Sequence, residues 1–313
     1  MASRRPIVIT GAAGLVGQNL IPRLKRRGYA DLIGIDKHPA NTATLKRLHP
    51  DVRVIEADLG TPGGWDAAFA GAGVVVLNHA QIGGLDVQPF IANNLTATKN
   101  VLEAVKRHGI PYIVHISSSV VNSMAHDHYT ETKKAQEKLV AESGIPACVL
   151  RPTLMFGWFD RKHLGWLARF MRRTPVFPIP GHGRYLRQPL FAGDFCDVIA
   201  ACIEQPRPGR AYNISGQEKI DYIDLIRAVK QATGAGARIV RVPYAAFAAL
   251  LSAYALFDRD PPFTTKQLAA LVTPDVFEVI DWPGIFGVRA TPLAEALRET
   301  FQDPVYSKVV LEF

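Results

Sequence analysis

The chain has 313 residues, 48% of them hydrophobic and 20% charged, with a formal net charge of +8. So much apolar surface offsets the entropy of folding, which excludes a disordered protein; three cysteines, Cys148, Cys196 and Cys202, are too few and odd in number for a disulfide framework and suit a reducing compartment. The positive balance leaves nucleic acid, a membrane surface and an anionic small molecule open as partners.

In chain order, Pro6–Thr10, Leu32–Asp36, Val52–Glu56, Val74–Asn78, Tyr112–Ser117 and Ala147–Arg151 read as strands. Each is a compact apolar run bounded by Gly, Pro or Asp, the pattern of strands buried on both faces of a parallel sheet. Leu15–Arg27, Pro89–Arg107 and His128–Ser143 read as helices between them. This alternation predicts a doubly wound α/β sheet. After Arg151-Pro152 the rhythm changes: Gln188–Phe191 and Ala211–Ile214 read as strands, and Asp194–Glu204, Tyr222–Ala232 and Pro292–Phe301 as helices. No linker or repeat separates the halves. The expected organisation is a first unit over residues 1–157 and a smaller α/β lobe over 158–313, interlocked with it, the cleft between them being the default binding site.

Behind Arg4-Arg5 the chain enters Ile7-Val-Ile with no apolar leader segment. The stretch Val242 to Phe257 is 16 residues long and lacks Lys and Arg. It falls short of the roughly 20 residues a spanning helix needs and lacks the cationic face of a membrane-surface helix. A buried or pocket-lining helix, in a soluble cytoplasmic protein, is the expectation.

Thr10-Gly11-Ala12-Ala13-Gly14-Leu15-Val16-Gly17 lies between the first strand and the first helix. Gly11 permits a tight turn, Gly14 lets the backbone approach a pyrophosphate, and Gly17 allows close helix–strand packing. The helix N-terminus offers N–H groups and partial positive charge to phosphates. Asp36 ends the second strand at the spacing where a carboxylate accepts from ribose hydroxyls, favouring NAD over NADP; Lys37, directly after it, softens that preference.

Thr-Gly-x-x-Gly-x-x-Gly resembles the short-chain dehydrogenase/reductase superfamily in its extended, epimerase/dehydratase-like branch. Further matches are Ala57-Asp58-Leu59, Asn94 to Ala104, His115-Ile-Ser-Ser-Ser119 and Leu150-Arg-Pro-Thr-Leu-Met-Phe-Gly157. The resemblance covers about residues 6 to 157 and extends more weakly over Gly181 to Asp194. It implies a Rossmann-type NAD-binding unit. The cofactor would meet Gly11, Gly14, Leu15, Val16, Gly17 and Asp36 at the turn, then Asp58, Leu59, Asn78, His79, Ala80, Asn94 and Pro152, with Tyr129 and Lys133 at its reactive end. For His79 a purely structural role stands beside the cofactor role. Relatives often dimerise through the helices that are here Pro89–Arg107 and His128–Ser143, so a homodimer is implied.

Tyr129-Thr-Glu-Thr-Lys133 sets a phenol and an ammonium on one helix face. A phenol titrates near 10, so acting as a base at neutral pH needs a lowering of about 3 units, roughly 4 kcal/mol. A nearby ammonium, a nicotinamide cation and a helix N-terminus all favour the phenolate. By resemblance Ser118, with Ser119 as alternative, holds the substrate oxygen while Tyr129 exchanges its proton and Lys133 holds the nicotinamide ribose; Ser119 is also a substrate contact. Relatives that dehydrate carry an Asp-Glu pair where Ser119 and Val120 stand, which disfavours elimination.

Between Asp160 and Leu190 stand seven basic residues: Arg161, Lys162, Arg169, Arg172, Arg173, Arg184 and Arg187. Two readings stand: a solvated helix face, or an anion site in which Arg187 grips a substrate diphosphate. Leu154 replaces the asparagine that contacts the diphosphate in sugar-nucleotide relatives, and Arg151-Pro-Thr looks more like hydroxysteroid-type relatives. His126-Asp-His128 is a candidate chelate without an evident third ligand, so no metal is expected. Aromatic residues are not interleaved with basic ones as in a single-strand nucleic-acid platform, and no nucleic-acid partner is expected. The expectation is an NAD-dependent oxidoreductase or epimerase that interconverts a secondary alcohol and a ketone on an anionic small molecule, a sugar or nucleotide sugar. The alternatives are an apolar, sterol-like alcohol and a non-catalytic NAD-binding subunit.

Overall fold

Strands β1 (Ile7–Thr10), β2 (Leu32–Asp36), β3 (Arg53–Glu56), β4 (Val74–Leu77), β5 (Ile113–Ile116) and β6 (Ala147–Pro152) join the later strand Arg210–Ile214 in one seven-stranded sheet. The computed structural model describes residues 5–254, 265–273 and 276–312. Every pairing in this sheet is parallel, in the order Arg210–Ile214, β6, β5, β4, β1, β2, β3. The order reverses between β1 and β4, and the crevice outside the strand carboxyl ends at such a switch point is where these sheets bind ligands.

Alternation along each strand feeds two cores. Ile7, Ile9, Val74 and Val76 pack with the helices Leu15–Arg26 and Ala192–Glu204, whereas Val8, Val75 and Leu77 pack with Ala97–Arg107. Covered on both faces, the central strands are buried and largely apolar, whereas the edge strands β3 and Arg210–Ile214 are partly exposed, and the doubly wound α/β sheet expected from the sequence is the fold.

Several elements escaped the sequence reading, among them a helix and a pair of strands. The helix Pro39–Leu48 buries Asn41, Thr42 and Leu45, and so lacks an apolar stripe. Val176–Pro180 pairs in parallel with Arg238–Val242 despite its two prolines, which argue against a strand.

Beyond residue 157 the chain builds a second core around Phe177, Tyr222, Ile226 and Leu297. It also returns to the first sheet through Ala192–Glu204 and Arg210–Ile214. Polar side chains on the first helix bolt the two parts together. Arg23, 3% exposed, bonds Glu299 at 2.6 Å and lies 4.6 Å from the Trp158 ring centroid, while Asn19 donates to Trp158 O at 2.9 Å.

The apolar stretch Val242 to Phe257 departs from expectation. Val242 ends a strand, Tyr244–Tyr254 is a helix, and residues 255–257 lie outside the described residues. Among the described residues the helix is largely exposed rather than buried. It lies on the outside of the second lobe beside Thr265–Val272, with Leu250 66% exposed. Among the described residues no helix is long and apolar enough to cross a membrane.

Candidate active site

A cleft of about 690 Å³ opens at the carboxyl ends of the central strands. Leaving β1, the chain turns at Gly11 with φ +63°, and a Cβ there would lie 2.8 Å from the His79 Cα, so neither backbone nor space admits a side chain. Gly14 caps the helix Leu15–Arg26 without a side-chain acceptor, leaving its first N–H groups for an anion. Gly14, Leu15 and Val16 line the cleft. Gly17 does not: a Cβ on it would lie 2.4 Å from the Ala12 carbonyl oxygen, which makes it a packing glycine.

Asp36 lies against this turn, its carboxylate accepting from Ala13 N–H at 3.0 Å and His38 N–H at 3.1 Å. Burial pushes the carboxyl above its ordinary value, and those bonds pull it back. Lys37 is drawn aside, donating to Asn93 Oδ1 at 2.6 Å and lying 3.5 Å from Asp58 Oδ2. Asp58, Leu59, Asn78, His79, Ala80 and Pro152 complete this part of the wall. Asn94 lies beneath it, fully buried in the π-helical stretch Ile91–Thr96. Its side chain accepts from Gln81 N–H at 2.6 Å and donates to Gln81 O at 3.1 Å and Thr132 Oγ1 at 3.0 Å. It clamps the loop after β4 to the helix of Tyr129, and its neighbour Asn93 is the one on the wall.

Ser117, Ser118 and Ser119, just past β5, line the cleft opposite. The helix His128–Glu142 starts where the Asp127 carboxylate accepts from Thr130 N–H at 3.0 Å and Thr130 Oγ1 at 2.8 Å. That cap puts Tyr129 in the first turn and Lys133 one turn on, both reaching the cleft. It also spends the His126-Asp127-His128 run differently from a chelate. His126 pairs with Glu131 at 3.3 Å, and the His128 ring packs on Phe90.

The electrostatics correct one expectation. Burial pushes the Tyr129 phenol above its ordinary value; a hydrogen bond with the Ser118 side chain acts the other way, and the Asp127 charge adds to the rise. The Lys133 amine, 1% exposed, donates to Ile116 O at 3.0 Å and Gln136 Oε1 at 2.5 Å, and burial takes it down to about 7. The spacing of four residues brings both groups to one cleft, but the ammonium is bonded away from the phenol.

The hydroxyls of Ser117 and Thr153 are buried on the cleft wall with no partner among the described residues. Leaving such groups unpaired is costly, so they suit a polar occupant. With the side-chain-free turn and the uncapped helix end, they make the cleft fit a dinucleotide with a substrate beside it. Val120, Leu154, Met155 and Phe277 supply apolar surface there, and Gln81, Lys162 and His163 polar surface.

Arg187 is elsewhere. Its guanidinium bonds the carbonyls of Leu271 and of Thr273, the latter at 2.8 Å, and lies 5.2 Å from the Tyr185 ring centroid. It ties the helix Thr265–Val272 to the second lobe. Arg161 and Arg169 are likewise bonded to backbone carbonyls, whereas Lys162 lines the cleft. Of the lining residues, Gln81, His163 and Phe277 carried no sequence signal, because separate loops bring them to the cleft.

The family model for the NAD-dependent epimerase/dehydratase family matches residues 7–215. A ceramide reductase of Caulobacter vibrioides is 26% identical over 314 residues, covering 96% of this chain and 91% of that protein. A Bacillus subtilis protein named uncharacterized UDP-glucose epimerase YtcB is 27% identical over 302 residues, covering 83% and 94%. Among solved structures, UDP-glucuronic acid 4-epimerase from Bacillus cereus in complex with NAD superposes with a TM-score of 0.74 at 22% identity, covering 95% of this chain and 96% of that one. The chain belongs to the NAD-dependent epimerase/dehydratase family, and is an NAD-dependent enzyme of the extended short-chain dehydrogenase/reductase type.

Proposed function

We propose that the protein interconverts a secondary alcohol and a ketone on a sugar or nucleotide sugar, as a 4-ketoreductase or an epimerase. One observation carries the reading: the glycine turn, Asp36, Ser118, Tyr129 and Lys133 converge on a single cleft. NAD bound there supplies the hydride acceptor or donor. The turn and the uncapped helix end hold its phosphates, Asp36 its adenosine ribose and Lys133 its other ribose. Ser118 donates to the substrate oxygen, and Tyr129 gives or takes the proton at that oxygen. Elimination is not part of the proposal, since Ser119 and Val120 offer no acid–base pair. Lys162 and His163 suit an anionic substrate group, and the UDP-sugar relatives support the sugar reading. For the assembly we propose a homodimer through the helices of residues 88–107 and 128–142, which sedimentation would test.

A second reading, an apolar alcohol, is favoured by Leu154, Met155 and Phe277 in the cleft, by the position of Arg187, and by the ceramide reductase relative. Nucleotide sugars and long-chain or ring ketones offered with NADH separate the two. Loss of nicotinamide absorbance with one class identifies it, and epimer formation without net NADH change identifies an epimerase. If neither class reacts, both readings fail.

Asp36→Ala is expected to raise the Kd for NAD roughly 10- to 100-fold, the worth of a charged acceptor. It should also narrow the preference over NADP, as titration calorimetry with both would read.

A further inference from the structure

Beneath the cleft a line of polar side chains runs from Lys133 to the glycine turn. The Lys133 amine donates to Gln136 Oε1 at 2.5 Å, and Gln136 Nε2 donates to Thr98 Oγ1 at 2.8 Å. Thr98 Oγ1 lies 3.1 Å from His79 Nε2, and His79 Nδ1 lies 2.9 Å from Thr10 Oγ1. Thr10, Thr98 and Gln136 are fully buried.

The line has one polarity. Thr10 Oγ1 lies 3.3 Å from Val76 O, to which it can only donate, and it also accepts from Asn78 N–H at 3.0 Å and His79 N–H at 3.4 Å. From the other end, Thr98 accepts from Gln136 and has its own proton left for Nε2, which assigns the imidazole proton to Nδ1. A neutral ring so protonated offers a lone pair at Nε2, which takes the Thr98 proton. The Thr98 oxygen is then free to accept from the Gln136 amide nitrogen, and the amide oxygen is left for Lys133. Each hydroxyl has one proton and the amide has distinct ends, so no link reverses alone.

We infer that Gln136, Thr98 and His79 are positioning residues whose hydrogen-bond line, anchored on Thr10 beside the dinucleotide turn, holds the Lys133 amine in one direction and biases its protonation. The inference rests on the proposed role of Lys133 only for its catalytic consequence. The titratable groups around Lys133 are His79 at the end of β4, His115 on β5, and Tyr129 and Glu137 on its own helix. Burial holds His79 down at about 3 and His115 well below its ordinary value, so both are neutral. Glu137 is paired with Arg151 at 2.6 Å, and its charge raises Lys133 against the larger lowering by burial. Beside that charge, the uncharged Gln136 is the side chain that Lys133 contacts by a hydrogen bond, and so a direct handle on it.

The test reads the Lys133 pKa from the ¹³Cε shift of lysine-labelled protein free of dinucleotide, the signal being assigned with Lys133→Met. Gln136→Glu puts a carboxylate at the same contact and is expected to raise the pKa by about one unit or more. Gln136→Leu is expected to lower it, and Thr98→Val, nearly isosteric and one link removed, to move the shift in the same sense. In the wild type, ¹⁵N-histidine spectra are expected to show His79 protonated at Nδ1. Unchanged Lys133 titration in folded Gln136 variants, or His79 protonated at Nε2, would overturn the inference. Should the Gln136 variants fail to fold, Thr98→Val and the wild-type tautomer decide. These readouts need no turnover, so if the shifts occur and no NAD-linked reaction is found, the catalytic reading fails and the line stands. A working reductase whose Lys133 ignores Gln136 gives the reverse.

Discussion

Tyr129→Phe is expected to lower turnover about 10³-fold, within the range for loss of a positioned general acid or base, while NAD affinity and melting temperature stay close to those of the parent. The ring remains to fill its place, and only the phenolic oxygen is lost. Because burial pushes this phenol up in the free protein, it is fully protonated at neutral pH, the form needed to donate to a ketone. Alcohol oxidation requires the phenolate, and its rate should therefore climb with pH while ketone reduction does not. Steady-state kinetics in both directions, with calorimetric NAD binding on the same preparation, check each part. A variant that keeps its turnover would remove Tyr129 from the chemistry.

Gly17→Val is expected to cost about 3 kcal/mol or more of stability, at the upper end of overpacking, and to lower the melting temperature by roughly 5–10 °C. A Cβ there would stand 2.4, 2.5 and 2.6 Å from three backbone atoms of Ala12, and backbone inside a strand–turn–helix unit cannot swing aside as a side chain can. Gly14→Ala is the informative contrast. Its nearest neighbour is Gly11 O at 3.4 Å, an ordinary contact, so the fold should hold while NAD binds more weakly. Melting curves with and without NAD separate the two glycines, one guarding packing and the other access.

The central sheet was legible because its signals are local. Each buried strand is an apolar run, the turn residues punctuate them, and Gly11, Gly14 and Asp36 belong to one strand–helix–strand unit whose geometry follows from short-range sterics. Tyr129 and Lys133 were legible for the same reason, since four residues on a helix bring them to one face. Arg187 and Lys162 show the limit. Both are cations of one lobe, yet only the packing of Thr265–Val272 decides that the first is bonded to carbonyls while the second lines the cleft.

The amino-acid sequence alone therefore determined the fold class, the dinucleotide turn and the residue types available for chemistry. Tertiary structure decided how those residues are set. Thr98 and Gln136 are 38 positions apart, and Thr10 and His79 are 69, yet each pair is in hydrogen-bond contact. Burial moves the Tyr129 phenol and the Lys133 amine away from the values of free side chains, and Lys133 is bonded to Gln136 rather than to the phenol one turn before it. Desolvation and long-range hydrogen bonds depend on what packs overhead, which no local pattern encodes.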